Sequence, residues 1–94
     1  MSKLAVRGLT VAFASELATD LNRVNAIAPG LINTANTLVD VPQSMIDDIV
    51  GRQLIDRIGT EKDIVSAMLY LCSGEASFVT GETLKVCGGS PLTI

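Results

Sequence analysis

The chain has no histidine and no tryptophan, and aromatic residues make up 3% of its 94 positions. Without histidine no imidazole completes a zinc site, and the two cysteines, Cys72 and Cys87, stand apart at no metal-ligand spacing. No metal is expected. Isolated thiols of this kind behave as small hydrophobes, so both are expected buried, reduced and structural, which places the chain in a reducing compartment such as the cytoplasm. Basic residues are also scarce: seven against ten acidic ones leave a net charge of -3, with no cluster to follow a nucleic-acid backbone. No apolar run approaches the roughly 20 residues needed to span a bilayer, and nothing resembles a cleaved signal peptide.

What is present is aliphatic. A hydrophobic content of 48%, carried by alanine, valine, leucine and isoleucine, suits one small globular domain. Residues 2 to 19 read as a helix with two apolar stripes, Val6, Leu9, Phe13 and Leu17 on one side and Leu4, Val11, Ala14 and Ala18 on the other. Burial on two sides calls for a sheet and a further partner, and Gly8 within the helix suggests a close approach. Residues 23 to 28 read as a strand buried on both faces, which Pro29-Gly30 stops. Leu31 to Val41 shows no period and reads as a loop able to cover a ligand. Pro42 starts a second helix, with Met45, Ile46, Ile49 and Val50 on one face, ending near Leu54. Thr60 caps a third, with Glu61 and Asp63 in its first turn and a buried stripe of Ile64, Ala67, Met68 and Leu71. Gly74 is placed to close it in the left-handed conformation, and Tyr70 reads as a structural ring among apolar neighbours. Glu82 to Val86 forms a last strand, ended by Gly88-Gly89 and Pro91. Gly88-Gly89 does not suit a phosphate loop, because no helix opens after it.

This order is a strand-crossover-strand unit, so the two strands should be parallel with a right-handed connection. Two parallel strands rarely stand alone, and the chain reads as a piece of a larger α/β sheet. In such sheets ligands bind outside the carboxyl ends of strands, which directs attention to Arg-Val-Asn-Ala-Ile-Ala-Pro-Gly-Leu-Ile-Asn-Thr, residues 23 to 34.

That segment, with Ser2-Lys3-Leu4-Ala5 before it and Val79-Thr80-Gly81-Glu82-Thr83-Leu84-Lys85-Val86 after it, resembles the C-terminal part of the short-chain dehydrogenase/reductase family. The resemblance covers nearly the whole chain and implies the trailing part of a Rossmann-like doubly wound parallel sheet, with the dinucleotide-binding half outside residues 1–94. It implies an NAD(P)-dependent oxidoreductase that reduces a carbonyl or oxidises a secondary alcohol. Lys3 matches the lysine of the Tyr-x-x-x-Lys pair, which lowers the phenol's pKa and holds the nicotinamide ribose; the tyrosine falls before Met1. Pro29, Gly30, Leu31, Ile32 and Thr34 match the cofactor-binding segment, with backbone near Ile32 meeting the carboxamide and the Thr34 hydroxyl bonding carboxamide or pyrophosphate. The small-molecule substrate would contact Leu31 to Leu54, and the last strand with the helix before it would pack in a homo-oligomer.

Cys87 stands where the family often has aspartate. A weaker likeness, through Leu71-Cys72-Ser73, Gly81-Glu82-Thr83 and Gly88-Gly89-Ser90-Pro91, is to the peroxisomal NADP(H)-dependent carbonyl and retinol reductases, which tilts the cofactor toward NADP. Leu92-Thr93-Ile94 is not a peroxisomal signal. With serine, tyrosine and phosphate loop outside the chain, the isolated chain is expected to be inactive and Met1 to be an internal methionine of a longer enzyme. The alternative is a non-catalytic subunit that pairs with a full-length relative.

Overall fold

Two short pairs of parallel strands organise the chain. In the computed structural model, which describes residues 3–20, 22–34 and 41–91, the order is α1 (Lys3–Leu17), β1 (Ala26–Pro29), β2 (Ile32–Asn33), α2 (Gln43–Gly51), β3 (Gly59–Thr60), α3 (Glu61–Cys72) and β4 (Thr83–Val86). Single turns of 3-10 helix, Ala18–Asp20 and Gly74–Ala76, follow α1 and α3. The α/β class and the parallel pairing match the expectation: β1 lies beside β4 with Ala26 opposite Thr83 and Pro29 opposite Val86.

The ladder ends at Pro29-Gly30 as expected, with Pro29 its last paired residue and Gly30 its last donor. Ala26 N–H donates to the Glu82 carbonyl at 2.8 Å and Gly30 N–H to the Val86 carbonyl at 2.9 Å. Backbone groups of a strand alternate between its edges, so Ala26, Ala28 and Gly30 face β4, and the proline, which lacks an N–H, occupies a position turned to the other edge. The expected loop from Leu31 is also interrupted. Ile32 and Asn33 pair in parallel with Gly59 and Thr60, a contact too short to leave a period in the sequence. Residues 35–40 of the expected covering loop lie outside the described residues.

Helix α1 packs on β1. Thr10 and Ala14, each 6% exposed, make the buried face, and the Thr10 hydroxyl is satisfied by the Val6 carbonyl at 2.8 Å. Small side chains here permit close approach, whereas Val6, Leu9, Val11, Phe13 and Leu17 stay exposed. Of the two expected stripes, the one with Val11 and Ala14 is therefore covered at Ala14, and the one with Val6, Leu9, Phe13 and Leu17 stays exposed among the described residues. Gly8, expected at a close approach, has no atom within 4 Å of the place a Cβ would take. Gly8→Ala should accordingly stabilise the chain by up to about 1 kcal/mol, read as a higher urea midpoint at unchanged slope; a lower midpoint would show that the position is crowded.

Pro42 is the N-cap of α2, and its carbonyl accepts the N–H groups of Met45 and Ile46. Ile46 is buried while Met45 is not. The helix ends at Gly51, short of the expected Leu54, because the Gly88 carbonyl takes the N–H groups of both Leu54 and Ile55 at 2.9 Å. Gly88 and Gly89 supply that turn with φ of 63° and 81°, values few other residues accept.

Thr60 caps α3 as expected. Of its expected stripe Leu71 is buried, Ile64 and Ala67 are half-buried and Met68 is exposed. Tyr70 is also exposed, against the expectation of an enclosed ring. Gly74 does not form a left-handed cap; Ser73 ends the helix in an extended conformation, with its N–H and hydroxyl both donating to the Tyr70 carbonyl. Both thiols are free, but Cys72 is exposed on α3 and Cys87 half-buried, so the expected pair of enclosed cysteines is not found. The buried apolar residues are few: Ala14, Ala28, Ile32, Ile46, Leu71 and Ala76, with Phe78 fully exposed. No helix among the described residues is long and apolar enough to cross a membrane.

Candidate functional site

The segment Pro29–Thr34 leaves the carboxyl end of β1 and passes directly into β2. Its backbone is held at two points. Gly30 N–H reaches Val86, and the Leu31 carbonyl accepts Gly59 N–H at 3.0 Å. Gly30 is required by space, since a Cβ there would lie 2.8 Å from both Cα and Cβ of Cys87. Because the Leu31 carbonyl faces β3, the alternation of an extended strand turns the N–H and C=O of Ile32 to the opposite edge, while its side chain is buried. Thr34 is half-buried at the end of the segment. The candidate residues Pro29, Gly30, Leu31, Ile32 and Thr34 thus form one continuous, anchored stretch. Lys3 opens α1, the helix that lies on β1; the expected role of its side chain falls outside what is described.

Beside the segment lies a cavity of about 370 Å³, bordered by Leu31, Ile32, Gln53, Arg57, Val86 and Cys87 among others. One wall is an ion pair. Arg57 donates to both oxygens of Asp63, at 2.9 and 3.1 Å, and the same carboxylate accepts the Thr60 N–H at 2.7 Å and the Thr60 hydroxyl at 3.1 Å. The Arg57 bonds, and after them the Thr60 N–H, hold Asp63 well below the usual carboxylate range. A carboxylate whose folded pKa is depressed adds stability above its unfolded pKa of about 4 and loses it as pH falls from there toward the folded value. Wild type should therefore be more stable than Asp63→Asn at neutral pH, and acid unfolding curves of the two should converge below about pH 4. Parallel curves at all pH values would remove the carboxylate from this role.

Three residues of the site region were not singled out by sequence. Arg23 and Asn25 sit within the segment that points to a ligand, yet they face elsewhere. Arg23 donates to the carbonyls of Leu71 at 2.8 Å, Ser73 at 3.3 Å and Val79 at 3.3 Å. Asn25 donates to Val79 at 3.0 Å and accepts Glu82 N–H at 3.1 Å. Together they tie the end of α3 to the entry of β4. Gln53 donates to the carbonyls of Ile55 and Arg57. Its only sequence signal is that it is a polar residue just past the apolar face of α2.

This arrangement agrees with comparisons to known proteins. The family profile described as Enoyl-(Acyl carrier protein) reductase matches residues 1–90. The chain is 43% identical to a 3alpha-hydroxysteroid dehydrogenase of Mediterraneibacter gnavus over 95% of this chain and 35% of that protein. It is 40% identical to the short-chain dehydrogenase/reductase SDRA of Arabidopsis thaliana over 97% of this chain and 36% of that protein. The chain thus spans about a third of the length of the curated relatives it matches. Among solved structures it resembles a 3-oxoacyl-[acyl-carrier protein] reductase with bound NAD from Brucella melitensis, 36% identical with a TM-score of 0.82, covering 94% of this chain and 31% of that one. An NAD(P)-dependent gluconate 5-dehydrogenase described as putative, from Beutenbergia cavernae with bound NADP, is 42% identical with a TM-score of 0.85, covering 93% and 35%. With a parallel β1–β4 pair, an anchored Pro-Gly segment at the strand's carboxyl end and relatives of this kind, the chain belongs to the short-chain dehydrogenase/reductase family.

Proposed function

We propose that this chain supplies the C-terminal portion of an NAD(P)-dependent oxidoreductase acting on a small carbonyl compound or secondary alcohol, in a homo-oligomer. The observation that carries the reading is the orientation of Ile32, whose N–H and C=O are turned away from β3 at the carboxyl end of β1. A carboxamide offers one acceptor and two donors, which a strand edge of this kind matches. The residues present therefore fit the nicotinamide end of the cofactor, which when bound supplies or accepts hydride at the substrate carbon. Gly30 lets the segment lie close against Cys87, and Thr34 carries a hydroxyl beyond that edge. Lys3, at the start of α1, supplies a positive charge that holds the ribose hydroxyls and lowers the pKa of a neighbouring phenol. The likeness of residues 71–73, 81–83 and 88–91 to NADP(H)-dependent reductases favours NADP. The dinucleotide-binding half, with phosphate loop, serine and tyrosine, lies outside residues 1–94, so the chain by itself should not turn over a carbonyl substrate.

The test is an NMR titration of the isotopically labelled chain with NADH and NADPH, which detects weak binding. Amide shifts at Gly30–Thr34 and at the start of α1 are expected; a spectrum that neither nucleotide changes would sink the reading. The exposed residues Val6, Leu9, Phe13 and Leu17 of α1 favour a second reading, a non-catalytic subunit that pairs with a longer relative. Native mass measurement of the mixture decides it, and failure to form a mixed species counts against it.

A further inference from the structure

We infer that Gln53 is a positioning residue for the segment Leu31–Thr34, a role that rests on the reading of that segment as the cofactor's edge. Gln53 stands just after α2, where the chain must turn back toward β3. Its Nε2 donates to the Ile55 carbonyl at 3.0 Å and to the Arg57 carbonyl at 2.9 Å. The Ile55 carbonyl also accepts Arg57 N–H, so one side chain closes residues 53–57 into a compact loop. That loop has two outer anchors: the Gly88 carbonyl, which takes Leu54 and Ile55 N–H, and the Arg57–Asp63 pair. Two residues past Arg57 comes Gly59, whose N–H holds the Leu31 carbonyl and which pairs with Ile32. The register of the cofactor segment therefore depends on where residues 55–58 place Gly59.

The amide's orientation follows from chemistry. Both groups within reach of Nε2 are carbonyl acceptors, so the nitrogen must face them, and Oε1 is left buried with no partner among the described residues. A buried orphan acceptor is uncommon and calls for an explanation. A methionine would fill the same space without leaving one, so packing alone does not account for a glutamine here. The two donated bonds do.

The experiment uses Gln53→Met, which keeps the length and removes the donors, with Gln53→Ala as a second variant should methionine fail to fold. Amide hydrogen exchange in the 94-residue chain should rise about tenfold at Gly59, whose bond depends on the loop, and stay unchanged at Gly30, which is held by β4. NADH-induced shifts at Leu31–Thr34 should weaken in the same variant while the urea midpoint moves little. A uniform rise at Ala26, Gly30 and Gly59, or no rise at Gly59, overturns the role of Gln53. If NADH leaves the wild-type segment unchanged, the cofactor reading fails and the proposal with it; normal Gly59 exchange in the variant beside a responsive wild type sinks the Gln53 proposal alone.

Discussion

Replacing Arg23 by methionine should lower the stability of the chain by about 3 kcal/mol, since a hydrogen bond from a charged donor contributes about 1.5–3 kcal/mol and this guanidinium reaches three carbonyls. Two of the acceptors, Leu71 and Ser73, lie at the carboxyl end of α3, where a cation also meets the negative end of the helix dipole. The bond to Leu71 is the shortest of the three and belongs to the buried residue of that helix, so its loss should loosen the packing of α3 on β1 and β4. Val79 would keep Asn25 as a donor, which limits the damage at the entry to β4. Arg23→Lys should recover only part of the loss, because an ammonium cannot fork across separated acceptors. Equilibrium urea unfolding measures both; a loss under about 1 kcal/mol for the methionine variant would mean that water replaces these bonds.

Gly30→Ala should be the other severe change. Its Cβ would fall 2.8 Å from Cys87 Cα, a main-chain atom with nowhere to turn, so strands β1 and β4 must part at the point where Gly30 N–H bonds Val86. Overpacking of this kind costs about 1–3 kcal/mol. Adding Cys87→Gly removes the Cβ contact but not the Cα one, so the double variant should recover a fraction, and the coupling between the two sites reports on the contact itself. Simple additivity would contradict the contact. In amide spectra the single variant should displace Leu31 and Ile32 more than Ala26, because the clash lies at the exit of the strand.

Long elements and the helix starts are legible in the sequence: three helices, two longer strands and their parallel order all follow from spacing, and Thr60 with Asp63 marks the start of α3, whereas the ends of α2 and α3 are not. What escaped was set by contacts distant in the chain. Arg23 and Asn25 read as part of a ligand motif because their partners, residues 71 to 82, cannot be seen from local pattern. The β2–β3 pair has two residues a side and leaves no period. Pro29-Gly30 does end the ladder as read, but that Pro29 is itself paired, turned away from β4, only the register reveals. The expected burial of both α1 stripes does not hold: the buried face joins Ala14 of the second stripe to Thr10, which belongs to neither, and small size rather than hydropathy selects it. At the candidate site the Pro29–Thr34 stretch was legible, whereas Gln53 carries no pattern of its own.

The pairing of β1 with β4 has a kinetic consequence. Ala26 meets Thr83 across most of the length of the chain, so the ladder forms only after a large loop has closed, and such non-local contacts slow folding. Helices α1 to α3 are local and would form and fluctuate well before that closure. In a growing polypeptide the edge of Ala26–Pro29 that meets β4 therefore stays unpaired until Val86 has left the ribosome, and until then the backbone donors and acceptors of that edge are open to any other extended chain.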